Sequence, residues 1–354
     1  MFGERLKRAR SAVGLTMKEL AFQAGVSANM IKKYEHNQSM PGSGVLIKIS
    51  RALNVRSEYF FRPAKYELDK IEYRKHSTAS PKLLRRIKAD VLEQAERWME
   101  LIHLWPNFPV QKCITPTLSF DVIDDYQQLE EVADQVRSQW ELGSQPIVSI
   151  IDVLESKGIL VIVTDVDTTS KFDGLQASIG TTPIIVISSK WPGDRQRFTL
   201  AHELGHLLLE GKLSASLEEE KACNRFAGAF LFPQNSVRRI LGNSRKHLEP
   251  RELYLLKMDY GLSMMACVYR ATDLGIISPT KRKEMFLLFS AHKWRNMEPG
   301  EPYPIEKTTT FKQLVYRGLG EGILSESKAA ELLGMSVINF HRSRKLESSN
   351  ADSY

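Results

Sequence analysis

The sequence predicts a mainly helical protein with a small α+β unit in its middle and helical regions at both ends. Short amphipathic segments follow one another over residues 1–60, and two β-branched runs lie at 159–163 and 183–188. Beyond residue 249 the apolar residues again recur at helical spacing. With 354 residues, the chain is long enough for two or three domains. The expected parts are 1–62, 63–116, 117–240 and 241–354.

Composition and charge exclude several classes of protein. Hydrophobic residues make up 42% and charged residues 26%, which is typical of folded globular proteins and not of disordered chains. We expect no secretory signal, because the first residues are charged, and no membrane partner, because no apolar run approaches about 18 residues. The cysteines Cys113, Cys223 and Cys267 are far apart, which predicts free thiols and a cytoplasmic location.

Most of the net charge of +7 lies in residues 1–60, which contain ten Lys or Arg and four Asp or Glu. The remaining 294 residues contribute only +1. A local basic excess is typical of surfaces that bind a polyanion, because neutralising phosphates releases counterions. A solvated basic surface is the alternative.

This basic segment is predicted to form a bundle of four or five helices. Thr16 begins the second helix, where Glu19 completes a capping box, and Gly25 ends it. Ser27 caps the next helix, expected over 28–35, and a further helix closes the bundle. Two helices joined by a tight turn that contains Gly are the geometry that places the second one in the major groove of DNA.

The segment resembles the helix-turn-helix domain of the XRE/Cro repressor family through RLKRAR, GLTMKELAFQAGVS, IKKYEHNQSMP and ISRALNVRSEYFF. The resemblance implies a recognition helix after Ser27, a double-stranded DNA operator as partner, and a homodimer. Asn can read adenine, and Lys can read guanine or bind phosphate. Met17 stands where the family often has a Gln that contacts the DNA backbone, and a bundle used only for protein contacts is the alternative. The expected DNA-binding residues are Ser27, Ala28, Asn29, Lys32 and Lys33.

The sequence of the middle of the chain predicts a change from helices to a mixed α+β structure. Residues 63–116 are expected to be a helical linker with one long helix and a Pro-rich connector. Residues 126–140 and 147–156 have helical spacing, whereas ILVIV at 159–163 and PIIVIS at 183–188 are typical of strands. The intervening FDGLQASIG is expected to add a strand and a turn. A small sheet packed against helices is the expected result.

The most specific motif is His202-Glu203-Leu204-Gly205-His206 within RFTLAHELGHLLLEG. Two imidazoles four residues apart lie on one face of a helix and can bind one Zn²⁺. Glu203 follows the first ligand and is placed to act as a general base on water, which is the zincin arrangement. Two surface or capped histidines on a core helix are the alternative.

A catalytic zinc site needs a third protein ligand, and the next helix offers one. We expect Glu220 to bind the metal and Asn224, four residues later on the same face, to hydrogen-bond a ligating imidazole. Glu218 and Glu219 are alternatives, either as solvated charges or, for Glu219, as the ligand itself. Cys223 is expected to pack in the core, because it points off the face of Glu220.

The pair RFTLAHELGHLLL and EKACNRFAGAFLFP is similar to the ImmA/IrrE family of metallopeptidases, which occurs alone and fused to XRE-type domains. FDGLQASIG, PIIVIS, LSMMACVYRATDLGIIS and EPGEPYP also match, so the resemblance covers nearly the whole chain. The chain departs at Ala222-Cys223, where the family commonly has Glu-Ala. The resemblance implies a gluzincin-like zinc site and, as in characterised members, cleavage of a helix-turn-helix repressor.

The C-terminal region is expected to be helical, with amphipathic segments broken by glycines. Residues 325–344 have the rhythm of helix, Gly-containing turn and helix, which favours a helical hairpin over a second DNA-binding motif. The other expected helices lie at 252–258, 264–274, 280–289 and 311–318.

The leading hypothesis is a DNA-binding transcriptional regulator whose zinc-dependent endopeptidase domain cleaves a repressor or another partner protein. Glu203 would be its catalytic residue, and Arg197, Tyr260 or Tyr269 would stabilise the oxyanion. A non-catalytic repressor or antitoxin, in which the peptidase fold is a sensor or docking module, is the main alternative. A peptidase whose basic domain only recruits protein partners is another.

Overall fold

The computed structural model confirms the mainly helical fold with a small sheet in its middle. The predicted boundary between residues 62 and 63 lies outside the described residues, and the predicted domain limits remain expectations. No helix in the described part of the chain is long and apolar enough to cross a bilayer. The structure describes residues 2–61, 68–73, 80–110, 112–166, 172–295 and 297–346.

The N-terminal bundle follows the predicted caps closely. The Thr16 hydroxyl accepts a hydrogen bond from the Glu19 amide at 3.2 Å, and the Thr16 amide donates to the Glu19 carboxylate at 2.6 Å. Gly25 then takes a left-handed conformation with φ of 69°, which ends the helix. The elements are α1 (Phe2–Ala12), α2 (Met17–Ala24), α3 (Ala28–Glu35), α4 (Ser43–Ala52) and a 3₁₀ helix (Ser57–Phe61).

The bundle packs on a long helix, α5 (Pro81–Leu104), whose N-cap is Ser80. Arg5 and Arg8 of α1 both donate to the carboxylate of Glu96 on α5, in the case of Arg8 at 2.6 Å. Arg5 is only 3% exposed, so this contact is part of a buried interface and not a surface ion pair. The N-terminal bundle is therefore anchored to the rest of the chain.

Four strands form one sheet in the order β1-β3-β4-β2. The strands β2 and β4 are parallel, whereas β3 is antiparallel to both of its neighbours. Along β2 and β4 alternate residues enter two separate cores, since Val161 and Ile185 face one and Leu160 and Ile184 face the other. The strands are β1 (Asp69–Tyr73), β2 (Leu160–Thr164), β3 (Gly174–Ile179) and β4 (Thr182–Ser188).

The strand β1 lies within residues 63–116, where the sequence predicted a helical linker with one long helix and a Pro-rich connector but no strand. Its sequence, DKIEY, has only five residues, and three of them are charged, so no local pattern distinguishes it from a loop. The strand exists because its backbone pairs with the open edge of β3, with Tyr73 opposite Leu175. Long-range pairing of this kind leaves little local signal in a short charged segment.

Helices cover both faces of the sheet. The first core lies between the sheet and the helices α6 to α13, and the second lies between the sheet, α5 and the C-terminal helices. Two of the last helices bury Leu332 and Phe340 in the second core, which favours a helical hairpin at 325–344. The remaining helices are α6 (Gln128–Gln139), α7 (Ile150–Ser156), α8 (Gly193–Leu209), α9 (Glu219–Leu231), α10 (Gln234–Leu241), α11 (Pro250–Tyr260), α12 (Met264–Asp273), α13 (Pro279–Ala291), α14 (Thr310–Gly320), α15 (Glu326–Leu332) and α16 (Val337–Arg344).

A buried ion-pair network joins α6, α9 and α12. Glu130 is 1% exposed and accepts from both terminal nitrogens of Arg270, at 2.7 and 2.8 Å, and from Nε of Arg225 at 2.7 Å. Burial alone would raise the pKa of this carboxyl, but the two guanidinium groups hold the pKa of Glu130 below its ordinary value. The network fixes α9, which carries part of the site described below.

Glu155 in α7 makes the stability of the protein depend on pH. The side chain is 1% exposed, and burial raises the pKa of Glu155 from 4.5 to about 7. Because the folded state then holds its proton more tightly than the unfolded state, stability is lost as pH rises from about 4.5 to about 7. We expect Glu155→Gln to be more stable than wild type above pH 7, by on the order of 2–3 kcal/mol, and equally stable near pH 4.

Urea unfolding at a series of pH values measures this difference. Glu301→Gln, at an exposed position, is the matched control and should follow wild type at every pH. A constant offset between Glu155→Gln and wild type across the pH range would contradict the assignment.

Candidate metal centre

Close packing of α8 on α9 creates the site. At Gly205 in α8, an added Cβ would lie 3.3 Å from the Cα of Cys223 and 3.2 Å from the ring of Phe226. Only a residue without a side chain permits this approach of the two helices at no cost. The approach brings the histidine face of α8 against the first turns of α9.

Three predicted ligands converge at this contact. The Nε2 atoms of His202 and His206 lie 3.1 Å apart. The carboxylate of Glu220 lies 3.5 Å from Nε2 of His202 and 3.7 Å from Nε2 of His206. Within the part of the chain that the structure describes, this is the one cluster of three such side chains with metal-binding spacing.

The spacing fits a zinc ion. Ligand atoms about 2.0–2.1 Å from a tetrahedral zinc are separated from one another by roughly 3.3 Å, and the three observed separations bracket that value. Nδ1 of His202 faces Oδ1 of Asn224 at 2.9 Å, and Nδ1 of His206 faces the carboxylate of Glu219 at 3.0 Å. Both Nδ1 atoms therefore donate, which leaves both Nε2 lone pairs directed at the same point beside a carboxylate.

Glu203 lies beside this cluster, against the sheet. Its side chain is 3% exposed. The backbone oxygen of Glu203 accepts a hydrogen bond from the side-chain amide of Gln176 in β3. A Cβ added at Gly174, also in β3, would lie 3.4 Å from Oε1 of Glu203 and 2.9 Å from a backbone oxygen of β4. The strand β3 thus packs directly under Glu203 and fixes its position next to His202.

The three residues suggested to stabilise the oxyanion differ in their burial and contacts. Arg197 is wholly buried and donates to Glu306 and to the backbone oxygen of Ile147, so its role is structural. Tyr260 is 2% exposed and packs on the ring of Phe232. Tyr269 is 44% exposed and lines a cavity beside the site. Of the three, only Tyr269 is exposed to solvent.

The cysteines are free thiols, as predicted. Cys223 is fully buried in the first core, in agreement with its expected packing role, and it is not part of the ligand cluster. Burial raises the pKa of the Cys267 thiol well above its ordinary range. Neither buried thiol is therefore suited to act as a nucleophile.

Glu219 is the residue of the site whose role the sequence left open. It does not join the ligand cluster but orients His206 from the opposite side of the ring. The signal that distinguishes it from Glu220 is helical phase, because Glu220 and Asn224 share one face of α9 whereas Glu219 lies about 100° away. Gln176 in β3 was not expected at all, since sheet residues near a helical motif have no fixed sequence spacing.

The predicted DNA-binding residues lie on α3 in two groups. Asn29, Lys32 and Lys33 are exposed on the outer face, while Ile31 and Tyr34 of the same helix are buried. The hydroxyl of Ser27 accepts from the amide of Met30 at 3.2 Å and so caps the helix, and Ala28 packs partly into the bundle core. The sequence-predicted recognition helix thus presents one polar and basic face to solvent.

Together the fold and the site define a helix-turn-helix protein with a metallopeptidase-type centre. Residues 3–71 match the family described as "Helix-turn-helix domain", and residues 154–272 match the "IrrE N-terminal-like domain". The chain belongs to the XRE-type helix-turn-helix regulators and carries an ImmA/IrrE-type peptidase domain, as the sequence motifs suggested.

Characterised and uncharacterised regulators resemble the N-terminal part of the chain. The SPbeta prophage-derived uncharacterized HTH-type transcriptional regulator YonR of Bacillus subtilis (strain 168) is 33% identical over 73 residues, which are 20% of this chain and 68% of YonR. The HTH-type transcriptional regulator ImmR of the same strain is 37% identical over 57 residues, 16% of this chain and 45% of ImmR.

Vegetative-specific protein H7 of Dictyostelium discoideum is 40% identical over 53 residues, 15% of this chain and 51% of H7. The chain therefore spans about half the length of several of the curated relatives it matches. A crystal structure of Bacillus thuringiensis PlcR in complex with the peptide PapR7 and DNA covers 99% of each chain at 11% identity, but its TM-score of 0.19 supports no conclusion about fold or ligands.

Proposed function

We propose that the protein is a DNA-binding transcriptional regulator with a zinc-dependent endopeptidase domain that cleaves a repressor or another partner protein. The observation that carries the proposal is the convergence of His202, His206 and Glu220 at separations of 3.1–3.7 Å, with Glu203 adjacent. A purely structural role for α8 would not require two imidazole lone pairs to face each other beside a carboxylate.

The residues of the site would have different roles in the proposed reaction. His202, His206 and Glu220 would hold Zn²⁺, while Asn224 and Glu219 keep the two imidazoles in the orientation that binding requires. Bound zinc supplies Lewis acidity, which acidifies water and polarises a peptide carbonyl. Glu203 takes the proton from the attacking water and delivers it to the leaving amine.

New protein N-termini provide the test of the peptidase proposal. Cells of the source organism that carry either wild type or Glu203→Gln can be compared by N-terminal labelling of the whole proteome. We expect at least one internal cleavage site that appears only with wild type, in a repressor or another regulatory protein. An identical set of N-termini in both strains, under inducing and non-inducing conditions, would refute the peptidase proposal.

The DNA-binding part of the proposal rests on the exposed face of α3. We propose that Asn29 reads a base edge and that Lys32 and Lys33 contact phosphate or guanine of a palindromic operator bound by a homodimer. The basic excess of the first 60 residues favours this partner. The docking of α1 on α5 leaves Asn29, Lys32 and Lys33 exposed.

We expect Lys32→Ala/Lys33→Ala to weaken binding to the operator by about tenfold or more and to lower the salt dependence of binding. The operator can be selected from a random duplex library with wild-type protein, and affinities then follow from fluorescence anisotropy at several salt concentrations. Lys283→Ala, at an exposed position on α13, is the control and should bind as wild type does. Equal affinity and salt dependence in all three proteins would exclude α3 as the recognition helix.

A further inference from the structure

A large open cavity lies next to the metal centre, on the side of α8 that precedes the histidines. Its volume is about 1110 Å³, and it is lined by residues of α8, α9, α11, α12 and α13, by the segment that follows α13 and by Tyr126 before α6. Asn224, which orients His202, also lines this cavity, so the two sites share a wall. An occupant of the cavity would therefore lie within a few residues of a peptide bond presented to the metal centre.

The walls of the cavity contain several apolar and aromatic side chains. Met297 is 80% exposed at its rim, and such flexible thioether side chains adapt to bulky apolar partners. Sites of this composition bind apolar anchors of a ligand. The aromatic side chains that line the cavity are Tyr126, Trp191, Phe198, Tyr269, Phe286 and Trp294.

The charges of the cavity favour an acidic occupant. Seven basic and three acidic side chains line it, and five of the seven basic ones already pair with carboxylates of the protein, which leaves the other two, Arg282 and Arg295, to favour such an occupant. Arg282 lies over the ring of Tyr269 at 5.3 Å, and Arg295 lies over the ring of Phe286 at 4.2 Å. Among the described residues neither arginine has a carboxylate within ion-pair distance, so both can pair with acidic groups of a ligand.

A buried acceptor at the cavity supplies a third point of recognition. The side chain of Asp194 is 7% exposed, and its Oδ2 lies 3.5 Å from Nζ of Lys257. Its other oxygen, Oδ1, is buried and has no hydrogen-bond partner among the described residues. A buried carboxylate oxygen is costly to leave unpaired, and a peptide N–H is a donor that would satisfy it.

We propose that this cavity binds a segment of the protein substrate in which bulky apolar or aromatic side chains are flanked by acidic residues. The apolar anchors enter between the aromatic walls, and the acidic groups pair with Arg282 and Arg295. This inference rests on the proposed peptidase function, because it assigns the occupant to the protein that the metal centre cleaves. The cavity thereby distinguishes the substrate from proteins whose segments lack this combination of bulky apolar and acidic side chains.

Binding of two designed peptides tests the assignment on the full-length, zinc-loaded Glu203→Gln protein. The fluorescein-labelled 12-residue probes share the same Phe and Leu positions and carry either Glu or Lys at the other positions. We expect saturable binding of the Glu peptide, at least tenfold tighter than that of the Lys peptide, together with a change in Trp fluorescence. In Arg282→Glu/Arg295→Glu the preference should fall at least tenfold or reverse.

Arg251→Glu is the matched control, because Arg251 also lies over an aromatic ring, that of Tyr254 at 5.2 Å, but outside the cavity. It should retain the preference for the Glu peptide. Equal binding of both peptides, equal loss in the control, or binding of free indole-3-acetate without binding of either peptide would overturn the inference. Cleavage of a cellular protein by wild type without this preference would refute the inference alone. Acidic preference without any cleavage would refute the peptidase proposal and the assignment of the occupant as its substrate, and would leave the cavity only as a peptide-binding site.

Discussion

Glu203→Gln is expected to reduce the rate of substrate cleavage by about 1000-fold or more, while the protein keeps its fold and its zinc. The amide cannot take a proton from water, and general base catalysis by a positioned carboxylate contributes about 10²–10⁴-fold to such reactions. Because Gln is nearly isosteric, the packing of this side chain against Gly174 is preserved. The measurement is single-turnover cleavage of the substrate identified from new N-termini.

Two further comparisons distinguish a loss of catalysis from a loss of folded structure. Zinc content and thermal stability of the variant should equal those of wild type, since Glu203 is outside the ligand cluster. Glu218→Gln, at the exposed N-cap of α9, is the control and should cleave at the rate of wild type. If Glu203→Gln cleaves as fast as wild type, the mechanism fails, and a sensor or docking module becomes the better description of the peptidase fold.

Arg197→Met is expected to lower the free energy of unfolding of the peptidase domain by about 3–5 kcal/mol. The guanidinium is fully buried and pairs with Glu306, which is 8% exposed, and it also donates to the backbone oxygen of Ile147 at 2.6 Å. Removal of the cation leaves a buried carboxylate without its ionic partner, which costs more than the pair itself contributes. Urea unfolding followed by circular dichroism gives the difference.

The double variant Arg197→Met/Glu306→Gln should recover much of the loss, because neither partner is then left charged and buried. Arg195→Met provides the surface comparison: Arg195 is 46% exposed and pairs with Asp173, so its loss should cost no more than about 1 kcal/mol. A loss for Arg197→Met no larger than for Arg195→Met would show that Arg197 does not hold the domain together. Such a result would return it to the candidates for oxyanion stabilisation.

The sequence predicted those parts of the structure that depend on local chemistry. The caps at Thr16 and Ser27 and the left-handed Gly25 follow from side-chain hydrogen bonds and backbone freedom within a few residues. The convergence of His202, His206 and Glu220 was also predictable, because helical spacing sets the faces and the family resemblance pairs the two helices. Their role as zinc ligands remains a proposal.

The features that the sequence did not predict depend on contacts between distant segments. Five residues of β1 become a strand only through pairing with β3. The role of Arg197 follows from Glu306, which is more than 100 residues away and carries no motif of its own. The cavity beside the metal centre combines side chains that are far apart in the sequence, so its charge and aromatic character are visible only in the folded chain.

Zinc content per chain tests the central claim most directly. Wild type, His202→Ala and His247→Ala are purified identically, supplied with zinc, dialysed and measured by elemental analysis. His247 pairs with Glu249 at the surface, which makes it a control for loss of a histidine outside the site. We expect about one zinc per chain in wild type and His247→Ala and none in His202→Ala. Folded wild-type protein that holds no zinc, or His202→Ala that holds as much as wild type, would contradict the account.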